Sequence, residues 1–252
     1  MTQSQYGKIK LFHDFTGEEM YLPAVAHDAA TGGLWNIGQG FTIKGDAIND
    51  DVAQAMTVTD GLNGQITLTT ANVADGDAMY VTTEACFKPS VNGTLVLETR
   101  LKMAALTARR VFAGFRGTMA HDESDVLTGA TETLTLTAEA DLCGFFYDVG
   151  LTTDIEWHMV HNGGSTTGVT DALLLNSGVT PVINLMDILR VEIDNNGTAR
   201  WLINGVLLKT LAGAVDPDEV FAGCFGVMAT SAVSGTVTAD YIAVEANRDW
   251  TV

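Results

Sequence analysis

Glu192 and Asp194 are the two side chains whose type and spacing come closest to catalytic chemistry. Residues two apart on a strand share one face, and a retaining glycosidase works with two carboxyl groups about 5–5.5 Å apart. In jelly-roll glycosidases of the laminarinase type the catalytic pair consists of two Glu, in the pattern Glu-x-Asp-x-x-Glu, so the partner of Glu192 would stand three residues after Asp194. The chain has Gly197 there, within an Asn-Asn-Gly turn sequence. We therefore expect a solvated strand face, and we predict that the protein is not an enzyme and has no catalytic residues.

The histidines and cysteines are spaced in a way that disfavours a metal site. His158 and His161 are three residues apart in a predicted strand, so their side chains face opposite sides and cannot chelate one ion. We expect one of them in the core and the other on the surface. Cys86, Cys143 and Cys224 are far apart and are flanked by apolar or small residues. This pattern predicts buried thiols that act as small hydrophobic side chains, and it favours neither disulfides nor zinc.

Aspartate and glutamate gather in four short clusters. They lie at 46–51, 75–77, 122–125 and 216–219. Calcium takes several oxygen ligands, including carboxylates, but none of the clusters matches an EF-hand loop. We expect solvated loop charge in all four. We therefore predict no metal and no cofactor. The alternative is calcium, with Asp122, Glu123 and Asp125 as candidate ligands in the cluster that is densest in charge.

Basic and aromatic side chains offer few further sites. Arg109 and Arg110 form the only adjacent basic pair; we expect them on the surface, either in a partner contact or without a role. Most aromatic residues large enough to stack on sugars lie within strand patterns and are expected in the core. These residues are Trp35, Tyr80, Tyr147, Trp157, Trp201 and Tyr241. Trp250 lies in the terminal segment, and we expect it to be buried against a neighbouring part of this chain or another subunit.

The composition excludes several classes of protein. The chain has 252 residues, of which 46% are hydrophobic and 17% are charged, and its 13 Lys and Arg and 31 Asp and Glu give a net charge of −18. The chain is too apolar for intrinsic disorder, and its negative charge opposes binding to nucleic acid or to anionic membranes. It also lacks a signal-peptide pattern and an apolar run of transmembrane length, so we expect it to fold in the cytoplasm.

Alternation of apolar and polar residues predicts β-strands along most of the chain. In 95–103, apolar residues alternate with charged ones, which indicates a strand with one solvated face. Asn-Gly turns predict a three-stranded meander over 187–210. Further strands are predicted at 9–16, 34–43, 64–70, 78–87, 111–117, 132–138, 142–148, 155–161, 220–229 and 236–246, and short helices at 47–55 and 182–187. These elements predict an all-β sandwich or barrel of about a dozen strands.

The strand pattern runs without a linker from 9 to 247, which favours a single domain. Residues 1–8 are predicted to form an N-terminal arm, and residues 248–252 a C-terminal tail. The predicted partner-binding residues lie in these terminal segments. They are Gln5, Tyr6, Lys8 and Trp250.

Six segments carry a family resemblance. They are Leu11–Phe15, Gly64–Thr70, Leu97–Leu101, Val111–Phe115, Leu189–Gly197 and Asp240–Val244. Together they resemble structural proteins of tailed bacteriophages that have a concanavalin A-like, or laminin-G-like, jelly roll. The resemblance covers about residues 9–247 and implies a jelly-roll β-sandwich of two antiparallel sheets. It also implies a non-enzymatic virion protein, most often a decoration (cement) protein on the outside of the phage head.

The same resemblance implies partners and a location. The protein would be assembled in the host cytoplasm and located in the virion, bound to the major capsid protein or another virion protein, as a homo-oligomer such as a trimer. The polar arm at 1–8 would clamp a neighbouring subunit by adding a strand to an exposed edge. The alternative is a carbohydrate-binding, lectin-like module of a phage tail fibre or adhesin. That function would need an exposed aromatic platform and, in some cases, bound calcium.

Overall fold

The fold consists almost entirely of β-strands. The computed structural model describes residues 7–16, 35–45, 55–59, 64–70, 75–120, 124–136, 141–152, 155–168, 175–230 and 233–248. Their strands and one short helix are β1 (Lys8–His13), β2 (Trp35–Gly38), β3 (Phe41–Lys44), β4 (Ala55–Thr59), β5 (Gln65–Thr69), β6 (Ala78–Thr82), α1 (Pro89–Asn92), β7 (Leu95–Lys102), β8 (Arg109–Arg116), β9 (Leu127–Ala130), β10 (Thr133–Leu136), β11 (Leu142–Asp148), β12 (His158–Asn162), β13 (Asp187–Ile193), β14 (Ala199–Ile203), β15 (Val206–Leu211), β16 (Ala222–Ala229) and β17 (Thr236–Asn247).

These strands form two large antiparallel sheets and a separate hairpin. The eight-stranded sheet has the order β15-β14-β13-β7-β17-β5-β4, and β1 also pairs with β17. The seven-stranded sheet has the order β12-β11-β8-β16-β6-β3-β2, and β9 and β10 form the hairpin. The prediction of an all-β fold with two antiparallel sheets is therefore confirmed.

One cluster of buried hydrophobic side chains fills the space between the two large sheets. Alternate residues of β7, among them Leu95 and Leu97, point into it, as the alternation in the sequence predicts. Trp201 of β14 is fully buried, and its indole nitrogen donates a hydrogen bond of 2.9 Å to the backbone oxygen of Gly144 in β11. This bond joins the two sheets across the core.

The seven-stranded sheet is buried on both faces. Every residue of β8, β11 and β16 is buried, so these strands show no solvated face. On the side away from the main core, Phe112 and Phe146 of the sheet pack in a second cluster with Leu127 and Leu134 of the β9–β10 hairpin. The hairpin therefore covers part of the outer face of this sheet.

The meander predicted over 187–210 is present as β13, β14 and β15. Asn204 and Gly205 connect β14 to β15 with φ values of 52° and 80°. Both central residues of a type I′ turn need positive φ, which Asn and Gly tolerate. The local Asn-Gly signal is thus sufficient to locate this hairpin.

The helix predicted at 182–187 is absent from the structure. Residues 183–184 form a turn, and the segment 182–187 leads into β13 without a helix. The predicted helix at 47–55 lies outside the described residues except for Ala55, which begins β4. Helix α1 was not predicted; it begins with Pro89, whose fixed φ suits the first helical turn. None of the helices in the described ranges is long and apolar enough to span a membrane.

The predicted arm and tail are described only at their inner ends. Lys8, assigned to the arm by the sequence, is the first residue of β1 and lies opposite Asn247 at the end of β17. Gln5, Tyr6 and Trp250 lie outside the described residues. Lys8 is therefore part of the eight-stranded sheet.

Candidate functional site

A notch interrupts the eight-stranded sheet beside β17. Strand β5 pairs with β17 as far as Ala239, and β1 pairs with the same side of β17 only from Ile242 onward. Asp240 and Tyr241 lie between these two pairings. A groove of about 460 Å³ opens there. Its lining residues are Phe12, Asp14, Thr16, Arg100, Asp240 and Tyr241.

A β-bulge places the β17 side chains of this notch. On the partner strand β7, Leu101 lies opposite Ala239 and Arg100 lies opposite Tyr241, so Asp240 is an extra residue. The bulge shifts the alternation by one position, because Ala239 is buried before it and Ile242 after it. Bulges re-aim side chains and occur frequently next to functional sites. Here the bulge brings two consecutive residues to the same groove.

Two aromatic rings form one wall of the notch. The rings of Phe12 and Tyr241 have centroids 5.9 Å apart with an interplanar angle of 33°. Phe12 lies opposite Ala243, so it meets Tyr241 as a diagonal cross-strand neighbour. Phe12 remains 51% exposed. An apolar ring with an open surface is thus available to a ligand.

A hydrogen bond to Glu98 on the neighbouring strand β7 fixes the side chain of Tyr241. Its hydroxyl donates a hydrogen bond of 2.7 Å to Oε1 of Glu98 on β7. Burial raises the pKa of the Tyr241 hydroxyl, and the carboxylate of Glu98 raises it further. The Tyr241 ring is therefore held neutral and in one orientation.

Asp240 contributes a buried carboxylate with one unused oxygen. Its Oδ2 accepts a hydrogen bond of 2.7 Å from Nη1 of Arg100, and its side chain is only 6% exposed. Its Oδ1 is buried and has no hydrogen-bond partner within the described part of the chain. Leaving a buried acceptor unsatisfied costs about 1–3 kcal/mol. A ligand that donates a hydrogen bond to this oxygen would recover that free energy.

Asp14 is a second carboxylate in the notch. Two residues after Phe12, it continues the same outward side of the strand. Its Oδ1 accepts hydrogen bonds from the hydroxyl of Thr16 at 2.8 Å and from the Thr16 backbone nitrogen at 3.3 Å. Partial burial acts to raise the pKa of Asp14, but these hydrogen bonds outweigh it, and the pKa lies below its ordinary value. Asp14 is therefore ionised at neutral pH.

The carboxylates first considered for catalysis belong to a network of ion pairs. On the outer face of the eight-stranded sheet, Arg190 contacts Glu98 at 3.1 Å and Glu192 at 2.7 Å. Arg200 contacts Asp194 at 2.6 Å. Gly197 lies in the turn between β13 and β14 with a φ of 76°. Each carboxylate is thus paired with an arginine on a half-exposed strand face.

Two expectations about surface charge are wrong. Arg109 and Arg110 are buried, at 5% and 7% exposure, because they lie in β8 of the doubly covered sheet. Arg110 contacts Asp75 at 2.9 Å, Asp148 at 3.0 Å and, more closely, Asp125. Asp125 and Asp148 are buried beside Arg110 in one ionic cluster, so Asp125 is not the solvated loop charge that we expected, whereas Asp75 is 63% exposed and agrees with the expectation.

This Arg110 cluster bears on the calcium prediction. Asp125 is paired with Arg110, while Asp122 and Glu123 lie outside the described residues. In the described ranges, no group of three or more His, Cys, Asp or Glu side chains is arranged to hold a metal ion. Calcium binding by Asp122, Glu123 and Asp125 stays a prediction.

The structure also corrects three predictions about burial. His158 and His161 are both buried, because β12 belongs to the sheet that is covered on both faces. Cys86 is exposed, whereas Cys143 and Cys224 are buried as predicted. Tyr241 lines the notch and is not a core residue. The predicted core aromatics Tyr80, Tyr147, Trp157 and Trp201 are fully buried, and the Trp35 side chain lies outside what is described.

Solved structures share the fold of this chain. No protein-family model and no curated protein matches the chain. A protein of unknown function from Shewanella oneidensis MR-1 matches with a TM-score of 0.58 and 11% identity, over 98% of this chain and 89% of that one. Peanut lectin matches with a TM-score of 0.53 and 12% identity, over 95% and 97%. The carbohydrate recognition domain of Emp46p matches with a TM-score of 0.51 and 6% identity, over 81% and 87%.

The chain has a concanavalin A-like β-sandwich fold. This result agrees with the fold that the family resemblance implied. Identities of 6% to 12% establish the fold alone. Function has to be argued from the residues of the notch. Sequence reasoning missed five of these, Phe12, Asp14, Thr16, Arg100 and Asp240, although the break in alternation at Asp240 was a readable signal.

Proposed function

We propose that this protein is a non-enzymatic carbohydrate-binding module whose binding site is the notch beside β17. One observation carries the proposal: Asp240, whose Oδ1 is buried and has no hydrogen-bond partner, lines a groove together with the half-exposed ring of Phe12. Sugars present apolar C–H faces together with hydroxyl donors. The notch offers a matching combination of an aromatic surface and hydrogen-bond acceptors.

Each lining group has a distinct task in this proposal. The Phe12 ring packs against the C–H face of a sugar, and the tilted Tyr241 ring supports it. The carboxylates of Asp240 and Asp14 accept hydrogen bonds from sugar hydroxyls, which are stronger when the acceptor is ionised. Arg100 holds Asp240 in place through its 2.7 Å contact. A few polar groups of this kind fix orientation in an otherwise apolar pocket.

The fold is compatible with this function but does not specify it. Peanut lectin and the Emp46p carbohydrate recognition domain bear names that refer to sugar binding. Folds host many functions, so this likeness is an analogy. The residues of the notch carry the proposal, and the analogy adds only plausibility to the choice of sugars as ligands.

Binding of the purified protein to a glycan array, followed by calorimetry on the positive glycans, tests the proposal. We expect Phe12→Ala and Asp240→Asn each to weaken binding by about tenfold or more, because each removes a group that contacts the sugar. Val206→Ala removes an equally exposed apolar side chain from β15 and should leave binding unchanged. Absence of glycan binding by the unmodified protein would overturn the proposal. Hydrolysis of a bound β-glucan would overturn the part of the proposal that says the protein is not an enzyme.

A second candidate function is virion decoration, with the major capsid protein or another virion protein as partner and a homo-oligomer such as a trimer as the assembled form. The feature that favours it is β15, an edge strand of the eight-stranded sheet. Val206 and Leu207 on this strand are 61% and 52% exposed. An open strand edge with exposed apolar groups is a ready surface for strand addition.

Deletion of residues 1–6 tests the decoration proposal while preserving β1. If the arm clamps a neighbouring subunit, the deletion reduces occupancy on capsid shells in co-sedimentation. Leu207→Asp should have a comparable effect, because it places a charge on the accepting edge. Unchanged occupancy in both variants would contradict this function without affecting the carbohydrate proposal, whose residues lie on other strands.

A further inference from the structure

We infer that the notch selects saccharides that carry a protonated amine over neutral saccharides, and rejects acidic ones. This inference rests on the proposed function, since it names the ligand class of the same site. It follows from the charges that line the groove and from the burial of one of them.

Carboxylates outnumber cations in the lining of the notch. Asp14 and Asp240 are acidic, and Arg100 is the one basic residue among the described lining residues. Arg100 is already engaged by Asp240 at 2.7 Å. Beneath Tyr241, Glu98 adds a further carboxylate, although Arg190 pairs with it at 3.1 Å. The groove is therefore electronegative on its open side.

The adjacent basic side chain on β1 does not reverse this balance. Lys10 is two residues before Phe12 on the outward face, but its amine contacts Oε1 of Glu245 at 2.8 Å. The net charge of the whole chain is −18, so the long-range field has the same sign as the groove. A carboxylated or sulfated sugar would be repelled at both ranges.

The buried oxygen of Asp240 distinguishes an ammonium from a hydroxyl. A hydroxyl and an ammonium both form a strengthened hydrogen bond to an ionised carboxylate, but only the ammonium adds the Coulomb attraction between opposite charges. Burial increases this difference, because the local dielectric is lower than in water. An ammonium group that donates a hydrogen bond to Oδ1 of Asp240 would give this buried oxygen a partner. It would also offset the negative charge of the residues that line the notch.

The exposed face of Phe12 favours the same ligand class. A cation placed within about 6 Å of the centre of an aromatic ring is attracted to the face of that ring. Phe12 is 51% exposed and forms the wall of the groove that Asp14 and Asp240 also line. A protonated amine is attracted both by the face of the ring and by the negative charge of the carboxylates. A neutral sugar contacts the ring through its C–H groups and the carboxylates through its hydroxyls, without that attraction between opposite charges.

Calorimetry with four methyl glycosides tests the inference: those of glucosamine, N-acetylglucosamine, glucose and glucuronate, at pH 6 and 150 mM salt. We expect the Kd for the glucosaminide to be lower than that for the glucoside by about tenfold, and no binding of the glucuronide. Asp240→Asn and, as a variant at an exposed position, Asp14→Asn should each reduce the preference to below about threefold. Asp218→Asn removes the same charge far from the notch and should preserve the preference.

The possible results separate the two proposals. Equal affinity for the glucosaminide and the glucoside, with both lost in Phe12→Ala, overturns the amine preference and supports the sugar site. Loss of the preference in Asp218→Asn assigns it to overall charge and also overturns it. Failure of all four glycosides to bind, together with a negative glycan array, overturns both proposals.

Discussion

The two large sheets differ in how far their outer faces are exposed to solvent. The eight-stranded sheet leaves its outer face open, and its charges form half-exposed pairs such as Arg190 with Glu192. The seven-stranded sheet is covered by the β9–β10 hairpin and holds its charges in the buried cluster around Arg110. The same ion-pair chemistry should therefore stabilise the fold strongly on one sheet and weakly on the other.

Replacement of arginine by methionine on each sheet gives the largest expected contrast. Arg110→Met leaves Asp125 and Asp148 buried without their cation, which should lower the free energy of unfolding by about 3–5 kcal/mol. Arg190→Met, on the open face, should lower it by about 1 kcal/mol or less. Urea denaturation of both variants measures the difference. Equal losses would mean that the hairpin does not seal the cluster from water.

Glycine positions give a smaller contrast. A Cβ atom at Gly226 would lie 2.2 Å from Cδ1 of Tyr80 and 2.6 Å from the backbone oxygen of Met79. Overpacking of this kind costs about 1–3 kcal/mol, which thermal or urea unfolding of Gly226→Ala would detect. At Gly205, in the β14–β15 turn, a Cβ meets nothing within 4 Å. Gly205→Ala should therefore lower the free energy of unfolding only by the cost of placing alanine at a positive φ. A larger loss of stability in Gly205→Ala than in Gly226→Ala would contradict this prediction.

The covered face should also make stability depend on pH. Burial raises the pKa of Asp125 to about 7, although Arg110 opposes the shift. Because this pKa is higher in the folded state than in the unfolded state, folding is favoured by protonation. The contribution is fully present below about pH 4 and is lost as the pH rises through about 7.

A comparison with Asp125→Asn isolates this dependence. The variant should have a flatter curve of unfolding free energy against pH between pH 5 and pH 8 than the unmodified protein. Burial lowers the pKa of His161, so its contribution to the pH dependence of stability has the opposite sign, but His161 is present in both proteins. Identical curves would show that Asp125 does not titrate near neutrality.

The smallest effect is expected at the notch. Tyr241→Phe removes the hydrogen bond between the neutral Tyr241 hydroxyl and the partly exposed carboxylate of Glu98. The loss of this bond should lower the free energy of unfolding by about 0.5–1.5 kcal/mol. Binding of sugars should be retained, since the ring remains. A change in unfolding free energy above that range would indicate that the notch has a structural role comparable to that of the Arg110 cluster.

The burial pattern of the eight-stranded sheet could be predicted from the sequence, whereas that of the seven-stranded sheet was predicted less well. In 95–103, alternation revealed both the buried and the solvated side of β7. In β8 the charges of Arg109 and Arg110 suggested a surface, because local sequence carries no sign of a hairpin that packs on a strand from elsewhere. The burial of His158 and His161 was missed for the same reason.

The notch shows a different limit of sequence reasoning. Its position depends on where β1 and β5 end along β17, and these strands are more than 150 residues away from β17 in sequence. A local pattern nevertheless marks it. Ala239 and Ile242 are both inward-facing although three residues apart, which is compatible with a strand only if one residue is extra. A search for such parity breaks would have pointed to Asp240.

The pairing of Lys8 with Asn247 brings the two ends of the sandwich to one pole. A short peptide could therefore connect them, and new termini could be opened at the exposed Asn204–Gly205 turn to give a circular permutant. The same proximity means that the whole sandwich can be inserted into a surface loop of a host protein with both attachments side by side. The orientation of the domain relative to the host would then be set by the direction in which β1 and β17 run.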